Sequence, residues 1–307
     1  MLRCPRPALA LLACLGLAPL VALGAPAGPS DRPATADTTT LRPLSEGRRD
    51  AASELSGPTT PDGEREGRGE REMVLIHGLG SDAEVWTPMV AILSRAYRVR
   101  LYELPGHGRT QPAPHLTIVS AAADLERFLK ERDIVQPVLV GHAMGGLIAM
   151  RYAFDHPAAI KRLVLIDAAP KQLATPEQKA QIADRLLTDY DRFVAETYAR
   201  MSPDPEITRR IVDRALKTDR PSFTSLLLSS FAFDLTEELP RQAVPILLVG
   251  SGMLLPTDQN IPAQLDALGY TNARTISFKR IDRTGHFVML EQPDFLASVI
   301  VAWCDLN

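Results

Sequence analysis

From Gln136 to Gly146 the chain reads Gln-Pro-Val-Leu-Val-Gly-His-Ala-Met-Gly-Gly, and a helical pattern follows at once from Leu147 to Phe154. A short apolar strand thus runs directly into a helix, with glycine on both sides of the junction. Small residues at 141 and 145 let the backbone turn sharply and hold the residue between them, Ala143, strained and exposed at the strand end. Such a junction belongs to a sheet whose strands are followed by helices. The rest of the chain agrees. Apolar runs at 73–76, 97–102, 138–140 and 163–166 alternate with helical patterns at 83–93, 118–131 and 147–154. Further runs at 244–249 and 274–278 precede a last helical stretch from Phe295 to Trp303. Short apolar strands alternating with helices predict a mostly parallel α/β sheet covered on both faces.

The alternation is interrupted once. Thr175-Pro176-Glu177-Gln178 carries a helix-start signal, with Thr at the cap, Pro at the first helical position and Gln three residues on. From there to about Leu239 the pattern is helical, broken near Ser202-Pro203 and Arg220-Pro221. Residues 171–239 are therefore expected to form a helical lid over the C-terminal edge of the sheet, where such sheets bind ligands. The core is then split into 71–170 and 240–307.

Ahead of this core, Arg3 and Arg6 precede an apolar run from Pro7 to Leu23, and Ala22-Leu23-Gly24 supplies small residues for cleavage before Ala25. The pattern predicts a signal peptide over residues 1–24 and export to a periplasmic or secreted location. A lipid box at Leu11-Leu12-Ala13-Cys14 fits less well, because little apolar sequence precedes Cys14. Residues 25–70 are rich in Pro, Gly, Ser, Thr and charge, which predicts a disordered linker. No second stretch is long and apolar enough to span a bilayer.

A formal net charge of −3 gives no electrostatic reason to expect nucleic acid as a partner. Cys4 and Cys14 would leave with the signal, so Cys304 has no internal partner. Cys and His do not cluster at metal-ligand spacing, and neither metal nor cofactor is expected.

Four motifs in order carry a family resemblance: His77-Gly78-Leu79-Gly80, Leu104-Pro105-Gly106-His107-Gly108, the Gly141–Gly145 junction, and Thr284-Gly285-His286-Phe287 followed by Leu290-Glu291-Gln292-Pro293. Over roughly residues 71 to 307 the chain resembles the α/β-hydrolase superfamily, of serine ester hydrolase type. The junction is then the frame of a nucleophile elbow, G-x-S-x-G, with Ala143 at the serine position. The resemblance implies an oxyanion hole from the backbone N–H groups of Leu79 and Met144, with His286 as general base. His77 and His107 read as hydrogen bonders that shape loops, and His142 as lying on the wrong side of the turn to attack substrate. The usual acid slot, Gly250-Ser251-Gly252-Met253-Leu254-Leu255-Pro256, holds no carboxylate. Asp258, a few residues on, is one candidate acid and Asp167, after the preceding strand, is another.

Three functional readings remain open. In the first, an exported relative of carboxylic-ester hydrolases, hydrolytically impaired by Ala143, binds a small apolar ester-like or carbonyl ligand. The second is an active ester or lactone hydrolase carrying a Ser-to-Ala substitution at 143. In the third, His286 works without covalent attachment, as a lyase or oxygenase would. Apolar residues in the helical block (Leu226, Leu227, Leu228, Phe231 and Phe233) suit an apolar pocket or simple packing. Limited proteolysis of the full chain should cut first between Ala25 and about Gly69 and leave a stable core starting near Arg71; a 25–70 segment that resists cleavage contradicts the linker assignment.

Overall fold

The computed structural model describes residues 71–172 and 174–306; the signal-peptide and linker assignments lie outside these residues. Six strands form one parallel sheet: β1 (Arg71–Ile76), β2 (Tyr97–Tyr102), β3 (Val138–His142), β4 (Arg162–Ile166), β5 (Ile246–Ser251) and β6 (Ile276–Ile281). Their order in the sheet is β2-β1-β3-β4-β5-β6. β3 and β4 are buried at every position and β5 likewise, as unbroken apolar runs predict for strands covered on both faces. The edge strand β6 alternates less cleanly and leaves Phe278 exposed.

The chain leaves β1 in one direction to form β2 and returns past it to form β3. The loops after β1 and β3, 77–80 and 142–144, therefore part at the C-terminal edge and open a crevice between them. Helices α1 (Thr87–Leu93), α2 (Ile118–Glu131) and α3 (Met144–Asp155) make the first crossovers. A short 3-10 turn, Ala83–Trp86, opens the stretch that reads as one helix in sequence, and Asp82 caps it. α2 coincides with its sequence pattern because both of its local signals agree. Thr117 and Ser120 form a reciprocal capping box, and Ile118, Ala121, Ala122, Leu125 and Leu129 place one buried stripe at helical spacing.

Between β4 and β5 the chain inserts α4 (Pro176–Thr188), α5 (Tyr190–Tyr198), α6 (Pro205–Lys217) and α7 (Arg220–Ser230). The expected capping box at Thr175 is present: Gln178 N–H donates to Thr175 Oγ1 at 3.3 Å, and Thr175 N–H donates to Gln178 Oε1 at 2.8 Å. After α7 the helical pattern does not persist to Leu239. Residues 231–238 instead form turns on either side of Asp234, which makes a single antiparallel bridge to Lys171. The chain closes with α8 (Ile261–Leu268), which has no clear sequence signal, then α9 (Val288–Glu291) and α10 (Pro293–Asp305). No helix among the described residues is long and apolar enough to cross a membrane.

The β3–α3 junction shows why its glycines are needed. A Cβ on Gly145 would lie 2.3 Å from the His77 carbonyl oxygen and 2.5 Å from that of Ile76, both main-chain atoms of the neighbouring strand end. One on Gly141 would lie 2.6 Å from the Gly145 carbonyl oxygen. Strand and helix meet backbone to backbone. Substituting Gly145→Ala should destabilise the chain by about 3 kcal/mol or more, because no flexible side chain can yield. Gly252→Ala, whose nearest contact would be Thr284 O at 3.4 Å, should be close to neutral. Equal urea midpoints for the two variants contradict this account of the junction.

Candidate active site

Ala143 sits where β3 ends and α3 begins, with φ 47° and ψ −115°. A side-chain-bearing residue in such a region costs on the order of 1–3 kcal/mol and persists only when its surroundings impose it. They do so here: Ala143 N–H donates to Ile166 O at 2.9 Å, and Ala143 O accepts from Gly146 N–H at 2.9 Å. The elbow conformation is therefore kept, although Ala143 carries no hydroxyl to present.

The carboxylate beside His286 is Asp167. Its Oδ2 lies 3.0 Å from His286 Nδ1, and both side chains are almost fully buried. Asp167 follows β4 directly, in the left-handed region at φ 48°, which Asp tolerates better than most residues. Ser251 completes its hydrogen bonding, donating from its N–H to Oδ1 and from its hydroxyl to Oδ2, each at 2.6 Å. A buried carboxylate with three donors is a satisfied anion. An ionised carboxylate only accepts, so Nδ1 of His286 carries the proton and Nε2 presents its lone pair. No residue among those described bonds to Nε2.

Asp258 is placed elsewhere. Ser251 Oγ accepts from the N–H groups of Met253 and Leu254, and Leu255 N–H donates to Ser251 O at 2.9 Å. That tight turn directs the following loop outward, and Asp258 is exposed on it with no bond to His286. Ser251, standing in the usual acid slot, instead holds Asp167, which comes from the end of the neighbouring strand β4. The sequence signal that could have favoured Asp167 was its position directly after an apolar strand adjacent to the elbow strand.

His286 is held through its backbone as well as its ring. Its N–H donates to Met201 O at 2.7 Å, in the turn after α5, and its carbonyl accepts from His142 Nε2–H at 3.0 Å. His142 thus points to the histidine loop and lines the cavity; it supports His286 rather than facing away from the site. Burial drives its pKa well below 6.5, with the neighbouring His286 adding to the shift, so it stays neutral.

His77 and His107 shape loops. Leu104 N–H donates to His77 Nε2 at 3.1 Å, which leaves Nδ1–H to donate to Gly78 O at 2.8 Å. His107 Nδ1 bonds Pro105 O at 3.0 Å. Burial pushes His77 down to about 3 and His107 down to about 4. Nothing among the described residues accepts a hydrogen bond from the N–H of Leu79 or of Met144. Both residues border a cavity of about 90 Å³ with Ala143, Asp167 and His286. Its opposite wall comes from the helical insertion: Phe193, Tyr198, Met201, Phe223 and Leu227. Of the five apolar insertion residues noted in the sequence, Leu227 alone lines this cavity, while Leu226 and Phe233 are buried in packing. No cluster of metal-ligating side chains occurs among the described residues.

Comparison with known proteins agrees with the fold. Residues 73–299 match the Alpha/beta hydrolase family. The chain belongs to that family. It is 26% identical over 253 residues to a pimeloyl-[acyl-carrier protein] methyl ester esterase of Proteus mirabilis, covering 78% of this chain and 94% of the esterase. It is equally 26% identical over 253 residues to karrikin insensitive 2 receptor IA of Petunia hybrida, covering 76% and 90%. Among solved structures, the enol-lactonase from Burkholderia xenovorans LB400 superposes with a TM-score of 0.68 at 25% identity, covering 78% and 94%. Relatives of this α/β-hydrolase thus include two ester-bond hydrolases and a receptor.

The buried histidines make stability depend on pH. His77, His107 and His142 are held neutral in the fold, while an unfolded chain protonates them below about 6.5. Their contribution is complete above pH 6.5 and is lost as pH falls from there toward 4, at up to about 1.4 kcal/mol per pH unit for each ring. Urea midpoints measured at pH 7.5 and pH 5 should therefore fall markedly toward acid; an unchanged midpoint contradicts the neutral assignments.

Proposed function

We propose that this chain binds a small, mainly apolar carbonyl compound of ester or lactone type and acts on it by general-base chemistry, without an acyl-enzyme. The intact Asp167–His286 pair carries this reading. Its Nε2 lone pair lines the same cavity as residue 143, where an alanine methyl stands in place of a hydroxyl. In this reading the substrate carbonyl is bound by the N–H groups of Leu79 and Met144, which stabilise negative charge as it develops on oxygen. His286 Nε2 takes a proton from the group lying where a serine oxygen would be, either an attacking water or the substrate itself. Asp167 then stabilises the imidazolium.

The helical insertion serves as the lid of this pocket, its aromatic and aliphatic wall favouring apolar substrate. The methyl ester esterase and the enol-lactonase among the relatives support a ligand of this class. The positively charged and then apolar N-terminus, Arg3 to Gly24, supports export, which would place the chemistry outside the cytoplasm.

Loss of a triad nucleophile typically costs on the order of 10⁶ in turnover, so residual hydrolysis by this route should be slow. The test compares the wild-type chain, Ala143→Ser, His286→Ala and Asp167→Asn with 4-nitrophenyl butyrate and a fluorophosphonate. Wild type should turn over slowly, with no burst and no covalent labelling, and this activity should vanish in His286→Ala and fall in Asp167→Asn. Ala143→Ser should become labelled and gain at least about a thousandfold, since it would regain the missing member of the triad. Labelling of the wild type, or activity indifferent to His286→Ala, would overturn the proposal.

A further inference from the structure

The end of α5 touches both loops on which the proposed chemistry depends. Tyr198, its last residue, donates its hydroxyl to Leu79 O at 2.5 Å. Three residues on, Met201 O accepts the His286 N–H at 2.7 Å. One turn of the insertion therefore holds the loop of the oxyanion donor and the loop of the base.

Each contact is possible because the core loop has a glycine at the point of approach. A Cβ on Gly80, at φ +61°, would stand 2.3 Å from the Tyr198 hydroxyl oxygen. A Cβ on Gly285 would stand 2.3 Å from Met201 O and 2.8 Å from Ser202 Cα. Both loops are thus shaped to admit the same segment of the insertion. The two glycines lie about two hundred residues apart in sequence, so local turn chemistry does not connect them.

Two hydrogen bonds hold Leu79, one on each of the two peptides that flank it. The Leu79 N–H belongs to the planar, trans peptide whose carbonyl is Gly78 O, so fixing that carbonyl aims the N–H the opposite way. His77 Nδ1–H fixes Gly78 O at 2.8 Å. Tyr198 fixes the next carbonyl, Leu79 O. His77 thus aims the Leu79 N–H, and Tyr198 pins the peptide on the other side of the residue, so the two peptide planes that meet at Leu79 are both anchored. Burial raises the Tyr198 phenol far above its ordinary pKa of 10.0, so the hydroxyl remains a donor at every working pH.

We propose that Tyr198 is a positioning residue for the oxyanion donor at Leu79, and that the turn from Tyr198 to Met201 couples the helical insertion to both loops of the active site. This rests on the functional reading of Leu79 and His286 given above. The insertion then sets the geometry of the site as well as covering it. A shift of α5 would misalign donor and base together.

The test is Tyr198→Phe, which keeps the ring that packs near Phe223 and Phe287 and removes only the hydroxyl. In ¹⁵N-labelled full-length protein, the Leu79 amide resonance should shift, while those of Met144 and His286 stay in place. In the Ala143→Ser background with 4-nitrophenyl butyrate, adding Tyr198→Phe should lower kcat about tenfold and leave KM within about twofold, as expected for a misaimed rather than deleted oxyanion donor. An unmoved Leu79 amide overturns the proposal. So does a perturbation spread evenly over the amides with an equal loss in KM, since a purely structural role predicts that result. If Ala143→Ser is inert, the functional reading fails, and the amide resonances still decide the role of Tyr198.

Discussion

The backbone contact between the end of β3 and the start of α3 governs everything at the site. Gly141, Gly145 and Gly146 let helix and strand approach without side chains between them, and the neighbouring ends of β1 and β4 close around the junction. Residue 143 has no relaxed conformation in that space and is forced to φ 47°. The same turn leaves the N–H of Met144 at the helix start without an intrahelical partner, because the first N–H groups of any helix lack one. Strain and an available donor thus have one cause, and neither depends on which side chain residue 143 carries. This explains how an alanine can occupy a position built to display a hydroxyl while the rest of the site stands.

Around that junction, polar groups are buried only where they are paired. Asp167 takes three donors, and His286 is held by Asp167, His142 and Met201. An isolated charge in this apolar setting would be costly, so each bond to Asp167 both stabilises the fold and sets the ring of His286. Removing Ser251 or Asp167 would therefore affect stability and chemistry together. The neutral histidines at 77, 107 and 142 are the counterpart: they supply directional hydrogen bonds inside the core without introducing charge.

The helical insertion contributes in two distinct ways. Phe193, Phe223 and Leu227 give the cavity its apolar wall, and Tyr198 and Met201 hydrogen-bond to the loops that carry the donor and the base. Relatives of this chain include both enzymes and a receptor.

Much of the fold was legible in the residues. Apolar runs located all six strands, β6 lying two to three residues past its run, and periodicity with a cap located α2 and the start of α4. These features are local: propensity, capping and burial pattern all act within a dozen residues. The short helix α8 and the bridged residues 233–235 were not legible, because the first has a weak apolar stripe and the second are held by pairing with residues 170–172. At the site, motif positions picked out Leu79, Ala143, Met144 and His286, which line one cavity. The choice between Asp258 and Asp167 did not follow from motif positions, since both lie after strands at plausible distances. The sequence by itself determined a parallel sheet with a glycine-framed elbow and no nucleophile at its centre. Only the tertiary structure decided which carboxylate meets His286 and which insertion residues hold the loops, because those contacts depend on how strands adjacent in space, but distant in sequence, present their ends to one another.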